Sequence, residues 1–167
     1  MGVMGSGKTT FGKTLAEHLG YDFLDADDFH SAANREKLTA GTALDDTDRA
    51  PWLQSLNATL LPYSNSTQGV VLACSALREA YREILLRGVE KFSQIIYLQI
   101  DHATAASRLR ERNHFANPAL LESQFATLEE PKDAITLPSH LSIAEAIDTY
   151  SQQQNQESIL TKRRKEL

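Results

Sequence analysis

The stretch Gly2-Val3-Met4-Gly5-Ser6-Gly7-Lys8-Thr9 fits the spacing G-x-x-x-x-G-K-[ST], and each residue type in it has a use in holding phosphate. Glycines let consecutive backbone N–H groups turn inward as an anion nest, and a helix starting at the lysine adds the partial positive charge of its N-terminus. Lys8 would bridge the β- and γ-phosphates of a nucleotide, and the Thr9 hydroxyl would ligate Mg2+. The candidate nucleotide-binding residues are therefore Gly2, Val3, Met4, Gly5, Ser6, Gly7, Lys8, Thr9 and Thr10.

A metal-bound triphosphate also calls for a carboxylate. GTPases and many ATPases take it from the end of a second buried strand. Here "GVVLAC" ends without an acid, and "DADD" supplies Asp25, Asp27 and Asp28 instead. In an extended chain residues two apart point the same way, so Asp25 and Asp27 are expected on one face. One of the pair would hold the magnesium shell while the other accepts a proton from a substrate hydroxyl. Turn and cap solvation is the competing use of such a cluster; the phosphate loop beside it favours catalysis. In "RLRERNHF", Arg108 and Arg112 fall four apart on one helix face, where small-molecule kinases place arginines that close over the nucleotide. Arg110 reads instead as a solvated residue paired with Glu111.

These groups need a frame to hold them. "TTFGKTLAEHLG" predicts an amphipathic helix with Phe11, Leu15 and Leu19 four apart and Gly20 as its stop. "YDFLDA", "GVVLAC" and "SQIIYLQI" read as short strands, the last two apolar enough for burial on both faces; "AITLP" is a weaker one. Helices are predicted between them. One is capped by Ser31 and ended by Gly41; the next is capped at Thr47 or Asp48, with Pro51 in its first turn and Trp52, Leu53, Leu56 and Leu60 on one face. Ser75 is expected to cap a helix that stops at Gly88, Asp101 another, and Pro118 opens a third. A last helix, roughly 142–154, is followed by residues expected to fray. The domain is expected to end near residue 150, with 151–167 a polar, basic extension.

Alternating strands and helices specify an α/β domain with a central parallel sheet, whose ligands gather at the carboxyl ends of the strands. The phosphate loop, the acid cluster and the "CSAL" turn would meet at that edge. A chain of 167 residues with 41% hydrophobic and 23% charged residues is one ordinary globular domain. The net charge of −5 argues against a nucleic-acid partner. Cys74 is the only cysteine, so no intramolecular disulfide forms, which suits a reducing compartment. With no apolar run of bilayer length, no membrane partner is expected and the cytoplasm is the expected location.

Taken together, "MGVMGSGKTT", "FLDADDFHSAANREKLTAGTALDDTDRAPWLQSLN", "VVLACSALREAYREILLRG" and "HFANPALLESQFATLEEP" resemble the gluconokinase family, small P-loop carbohydrate kinases related in fold to shikimate and nucleoside monophosphate kinases. The second segment is the most specific, with D-x-D, then His, Asn and Lys, then L-x-D-x-D-R-x-P-W-L. The resemblance implies a three-layer P-loop kinase fold and ATP- and Mg2+-dependent phosphorylation of the 6-hydroxyl of D-gluconate. It makes Asp27 the candidate base, Asp25 with Thr9 the magnesium partners, and Lys8, Asp27 and Arg112 the catalytic set. Asp27, His30, Lys37, Arg49 and Ser75 would line the sugar-acid pocket, where a cation must meet the carboxylate. Arg108 and Arg112 would belong to a lid around 108–131, and some family members form homodimers. Other readings are a kinase for shikimate or a nucleotide, and a non-catalytic nucleotide-binding remnant.

The chain departs from the family pattern in places. Met4 replaces a small residue, Ser31 a proline, and "RNHF" lacks the glycine usual before His-Phe. The family also has an apolar strand before "MGV", whereas one residue precedes Gly2 here. The expectation is therefore a sheet whose first strand is missing from an incomplete start.

Overall fold

The computed structural model describes residues 1–111 and 118–165, with side chains as far as residue 154. Helices and strands alternate as α1 (Lys8–Leu19), β1 (Asp22–Asp25), α2 (Ala32–Thr39), α3 (Asp46–Leu60), β2 (Val70–Ala73) and α4 (Glu79–Leu86). They continue as β3 (Ile96–Gln99), α5 (His102–Glu111), α6 (Pro118–Thr127), β4 (Ile135–Pro138) and α7 (Ile143–Lys165). All strand pairing is parallel, β1 with β2 and β3 with β4.

The pleat sorts side chains into two layers of helix packing. Val70 and Leu72 of β2 pack with Trp52, Leu53, Leu56 and Leu60 of α3 and with Tyr81 and Leu85 of α4. Val71, between them in sequence, packs with Phe11 and Leu15 of α1 and Ile147 of α7 on the opposite face. That period of two is what places helices on both faces of a sheet. A third cluster, Val3, Leu77, Ile100, Ala105 and Leu121, supports the phosphate loop from below.

The expected single central sheet appears as two pairs. The start of the sequence runs along β3: Met1 exchanges backbone hydrogen bonds with Ile96 and Leu98, and the Gly2 N–H donates to Ser75 O, just after β2, at 3.3 Å. One rung is too short to register as a strand. Behind it lies a cavity of about 630 Å3, bordered by Phe11, Leu15, Val71, Leu72, Ile96 and Leu98. The lining of this cavity mixes apolar and polar residues, Lys8 and Arg82 among them, and includes none of the acid cluster.

Two caps differ from the sequence expectation. Asp45, not Thr47 or Asp48, caps α3: its carboxylate accepts from Asp48 N at 2.8 Å while Asp48 accepts from Asp45 N at 3.1 Å. This reciprocal box satisfies two donors at once, which a lone cap cannot. Ser75 caps nothing, because α4 begins only at Glu79 and residues 75–78 form a turn with Ala76 at φ +45°. Ser31 and Asp101 cap as expected, accepting from Asn34 N and Thr104 N. The last helix spans Ile143–Lys165, longer than the 142–154 expected from the sequence. No Gly or Pro interrupts this stretch, and Gln, Glu, Leu, Lys and Arg are good helix formers. Among the described residues no helix is long and apolar enough to cross a membrane.

Candidate active site

The phosphate loop is held open by close packing. Gly5 has φ +80°, and a Cβ there would lie 2.9 Å from Ala105 O. Gly2 has φ +146°, with Leu98 O 2.8 Å from the same added atom. Both positions exclude side chains twice, by backbone conformation and by space. Gly7 ends the loop at φ +95° and delivers the chain into α1, whose first residues are Lys8, Thr9 and Thr10. Ser6 is buried, and among the described residues its Oγ has no hydrogen-bond partner. Met4, where a small residue was expected, keeps its backbone N–H in use: it donates to Gln124 Oε1 of α6 at 2.7 Å.

Lys8 curls back, its Nζ donating to Val3 O at 2.9 Å inside its own loop. Burial lowers its pKa, with Asp27 and Asp25 pulling the other way. An ammonium in that state lacks an anion, and a triphosphate would supply one. Next to it, the Thr9 hydroxyl donates to Asp25 Oδ2 at 2.8 Å. A hydroxyl and one carboxylate are hard oxygen donors of the kind Mg2+ accepts, with phosphates and water completing its shell. Among the described residues no group of three His, Cys, Asp or Glu forms a metal cage of its own.

The reason given from sequence for pairing Asp25 with Asp27 does not hold. Asp25 ends β1, but Asp27 lies in a 3-10 turn, Ala26–Phe29, so strand alternation does not relate them. What joins them is that turn: Asp25 Oδ1 accepts from Asp27 N at 3.2 Å. Burial, and then the Asp25 carboxylate, raise the Asp27 pKa, with Lys8 and His30 opposing. Its side chain is 88% exposed, so solvent softens the shift.

Behind Asp27, the buried His30 stacks on Trp52 with ring centroids 4.4 Å apart, and Trp52 Nε1 donates to Ala26 O at 2.8 Å. His30 Nε2 is 3.9 Å from Asp27 Oδ1, and its buried Nδ1 has no hydrogen-bond partner among the described residues. Burial lowers the His30 pKa despite Asp27, so the ring is neutral at pH 7 and still has a polar atom to offer a ligand. A histidine whose folded pKa is depressed binds fewer protons folded than unfolded. Stability attributable to His30 is therefore full above its unfolded pKa near 6.5 and declines as the pH falls from there towards the folded value. The drop in urea midpoint between pH 7.5 and 5.5 is expected to be smaller in His30→Gln than in the wild type. Equal drops would remove this assignment.

Lys37 and Arg49 are engaged to different degrees. Lys37 Nζ is engaged by Asp48 at 2.6 and 2.8 Å, which joins α2 to the cap of α3. Arg49 is less committed, with one long hydrogen bond of 3.4 Å to the Tyr81 hydroxyl. Ser75 enters through its carbonyl, the acceptor for Gly2 N. Arg108 is turned to the loop after β4, donating to Ser139 O at 2.7 Å. Arg112 lies outside the described residues. Sequence reasoning did not single out Gln124, Tyr81 or Arg82. Arg82 is buried and donates to Ala76 O, Leu77 O and Glu129 O, fixing the "CSAL" turn against the chain after α6. All three sit inside the segments that carry the family resemblance, but nothing in their spacing announced a role.

A phosphate loop at the carboxyl end of a parallel sheet, a hydroxyl–carboxylate pair beside it and a second acid facing the lysine define a small-molecule P-loop kinase. The shikimate kinase family profile matches residues 4–165. A probable gluconokinase of Dictyostelium discoideum is 41% identical, over 89% of this chain and 78% of the relative. The gluconokinase of Gluconobacter oxydans is 43% identical, over 80% and 75%. A gluconokinase crystal structure from Sinorhizobium meliloti superposes with a TM-score of 0.81 at 33% identity, covering 89% of this chain and 85% of that one. The chain belongs to the gluconokinase family.

Proposed function

We propose that the protein transfers the γ-phosphoryl group of ATP to the 6-hydroxyl of D-gluconate, giving 6-phospho-D-gluconate and ADP, with Mg2+. The observation that carries this reading is the hydroxyl–carboxylate pair Thr9–Asp25 beside the Lys8 ammonium, with Asp27 one turn further on. The loop amides from Gly5 to Thr10 would hold the phosphates, and Thr9 with Asp25 would hold Mg2+, which supplies charge neutralisation across the β- and γ-phosphates. Lys8 leaves Val3 O for those oxygens and offsets the charge that develops on them. Asp27 accepts the hydroxyl proton as the new P–O bond forms and the bond to ADP breaks. His30 and Arg49 hold the sugar acid, Arg49 at the carboxylate. The names of the relatives point to gluconate as the acceptor, and an Arg49 guanidinium with no ion pair among the described residues is suited to its carboxylate.

A coupled ADP-release assay with an acceptor panel tests the proposal. D-gluconate is expected to give turnover at least about tenfold above shikimate, adenylate or no acceptor, the scale of one lost ionic contact. A different acceptor in first place would replace gluconate, and no ADP release with any acceptor would remove the kinase reading.

A further inference from the structure

Arg49 is not alone at the rim of the site. Its guanidinium carbon lies 5.4 Å from the centre of the Tyr81 ring, and that of Arg78 lies 5.6 Å from the same ring. The Tyr81 hydroxyl donates to Asp46 Oδ1, and Arg78 Nη1 contacts both Asp46 oxygens at 3.2 and 3.0 Å. Two cations thus share one aromatic ring, and one of them, Arg78, is also held by a carboxylate. Among the described residues Arg78 uses only Nη1, leaving the rest of its fork open, and Arg49 makes no ion pair. Lys37 is not available to help, because Asp48 holds it.

This cluster is joined to the Asp27 turn through shared packing. Tyr81 packs with Trp52, Ala26 and Ala76, and Trp52 carries His30 on its face. Ala26 immediately precedes Asp27, the candidate base. A six-carbon sugar acid has its carboxylate at one end and the 6-hydroxyl at the other. With the hydroxyl at Asp27, the carboxylate lies a chain's length away and needs cations of its own.

We propose that Arg78 is a second carboxylate-binding residue, acting with Arg49 across the Tyr81 ring, while Asp46 and the Tyr81 hydroxyl hold its guanidinium in place. This rests on the reading of the substrate as a sugar acid. An arginine fork suits the task because its planar donors match a carboxylate, and stacking on an aromatic face fixes the plane before the ligand arrives. Asp46 leaves Arg78 two of its three nitrogens, so the brace and the substrate need not compete. The arrangement selects acids over neutral sugars at the end of the molecule remote from the chemistry.

Arg78 is the residue before α4 and makes no side-chain cap there; its side chain is 41% exposed, so its replacement should leave the fold intact. The test uses the full chain, with Arg78→Met and Arg78→Lys. Trp52, the only tryptophan, reports D-gluconate binding by its fluorescence independently of turnover. Arg78→Met is expected to raise the gluconate Kd and KM about 10- to 100-fold, as for loss of a charge-assisted contact, with kcat, the ATP KM and the melting temperature near wild type. Arg78→Lys should recover part of the loss. An unchanged gluconate Kd, or a parallel rise in the ATP KM, overturns the assignment. A wild-type protein that neither binds nor phosphorylates gluconate overturns the function reading instead, so the two failures are separable.

Discussion

Lys8→Ala is expected to lower kcat for phosphoryl transfer by on the order of a thousandfold, as when a fixed cation is removed from a phosphoryl-transfer site. The physical reason lies in where the ammonium rests. Held 2.9 Å from Val3 O and pushed towards neutrality by burial, it has no full anionic partner in its own loop. Phosphate oxygens answer that deficit, and they answer it best when the transferring group carries its charge on oxygens facing Lys8. Alanine removes this without removing the nest, because the amides of Gly5, Ser6 and Gly7 are backbone groups. The variant should therefore still fold, and ATP should still raise its melting temperature, though by less than in wild type. Single-turnover rates with D-gluconate and ATP measure the effect. A rate within about tenfold of wild type would place the main charge stabilisation elsewhere.

Asp27→Asn is expected to reduce kcat about 10^2- to 10^4-fold, the range for loss of a general base, with the ATP KM near wild type. The amide keeps the shape and loses only the ability to take a proton. Asp27 must be ionised to act, and burial with the neighbouring Asp25 raises its pKa. The acidic limb of kcat/KM is therefore expected above the ordinary carboxylate value near 4, activity falling as the pH drops through the raised pKa. The residual activity of the Asn variant should lack that limb. A wild-type profile whose acidic limb survives unchanged in Asp27→Asn would assign the titration, and the proton transfer, to another group. Because Asp27 is 88% exposed, solvent tempers the displacement and keeps the limb in the acid range.

The two carboxylates show how a correct residue choice can rest on an incorrect local picture. "DADD" reads as the end of a strand, and alternation then pairs Asp25 with Asp27. The chain instead turns after Asp25, because that carboxylate captures the Asp27 amide and closes a 3-10 turn. Short polar side chains compete with strand geometry in this way, and the outcome depends on what packs beneath. Here it is Trp52, whose indole N–H takes Ala26 O. The caps follow the same logic. Ser31 and Asp101 were legible because one side chain and one amide decide each. Ser75 was not, since the turn at Ala76 is pinned by Arg82 from below and by Glu129 N on Leu77 O.

By itself the sequence determined the chemistry that needs local spacing: the phosphate nest, the lysine and threonine that follow it, the α/β alternation, and the family. Backbone conformation and helix periodicity act over a few residues, so their signatures lie in neighbouring letters. Tertiary structure alone decided which long side chains remain open to a ligand. Lys37 is drawn to Asp48 and Arg108 to Ser139 O, whereas Arg49 and Arg78 meet at Tyr81 from segments some thirty residues apart. Ion pairs and strand edges find partners through space, and one-dimensional spacing carries no record of those distances.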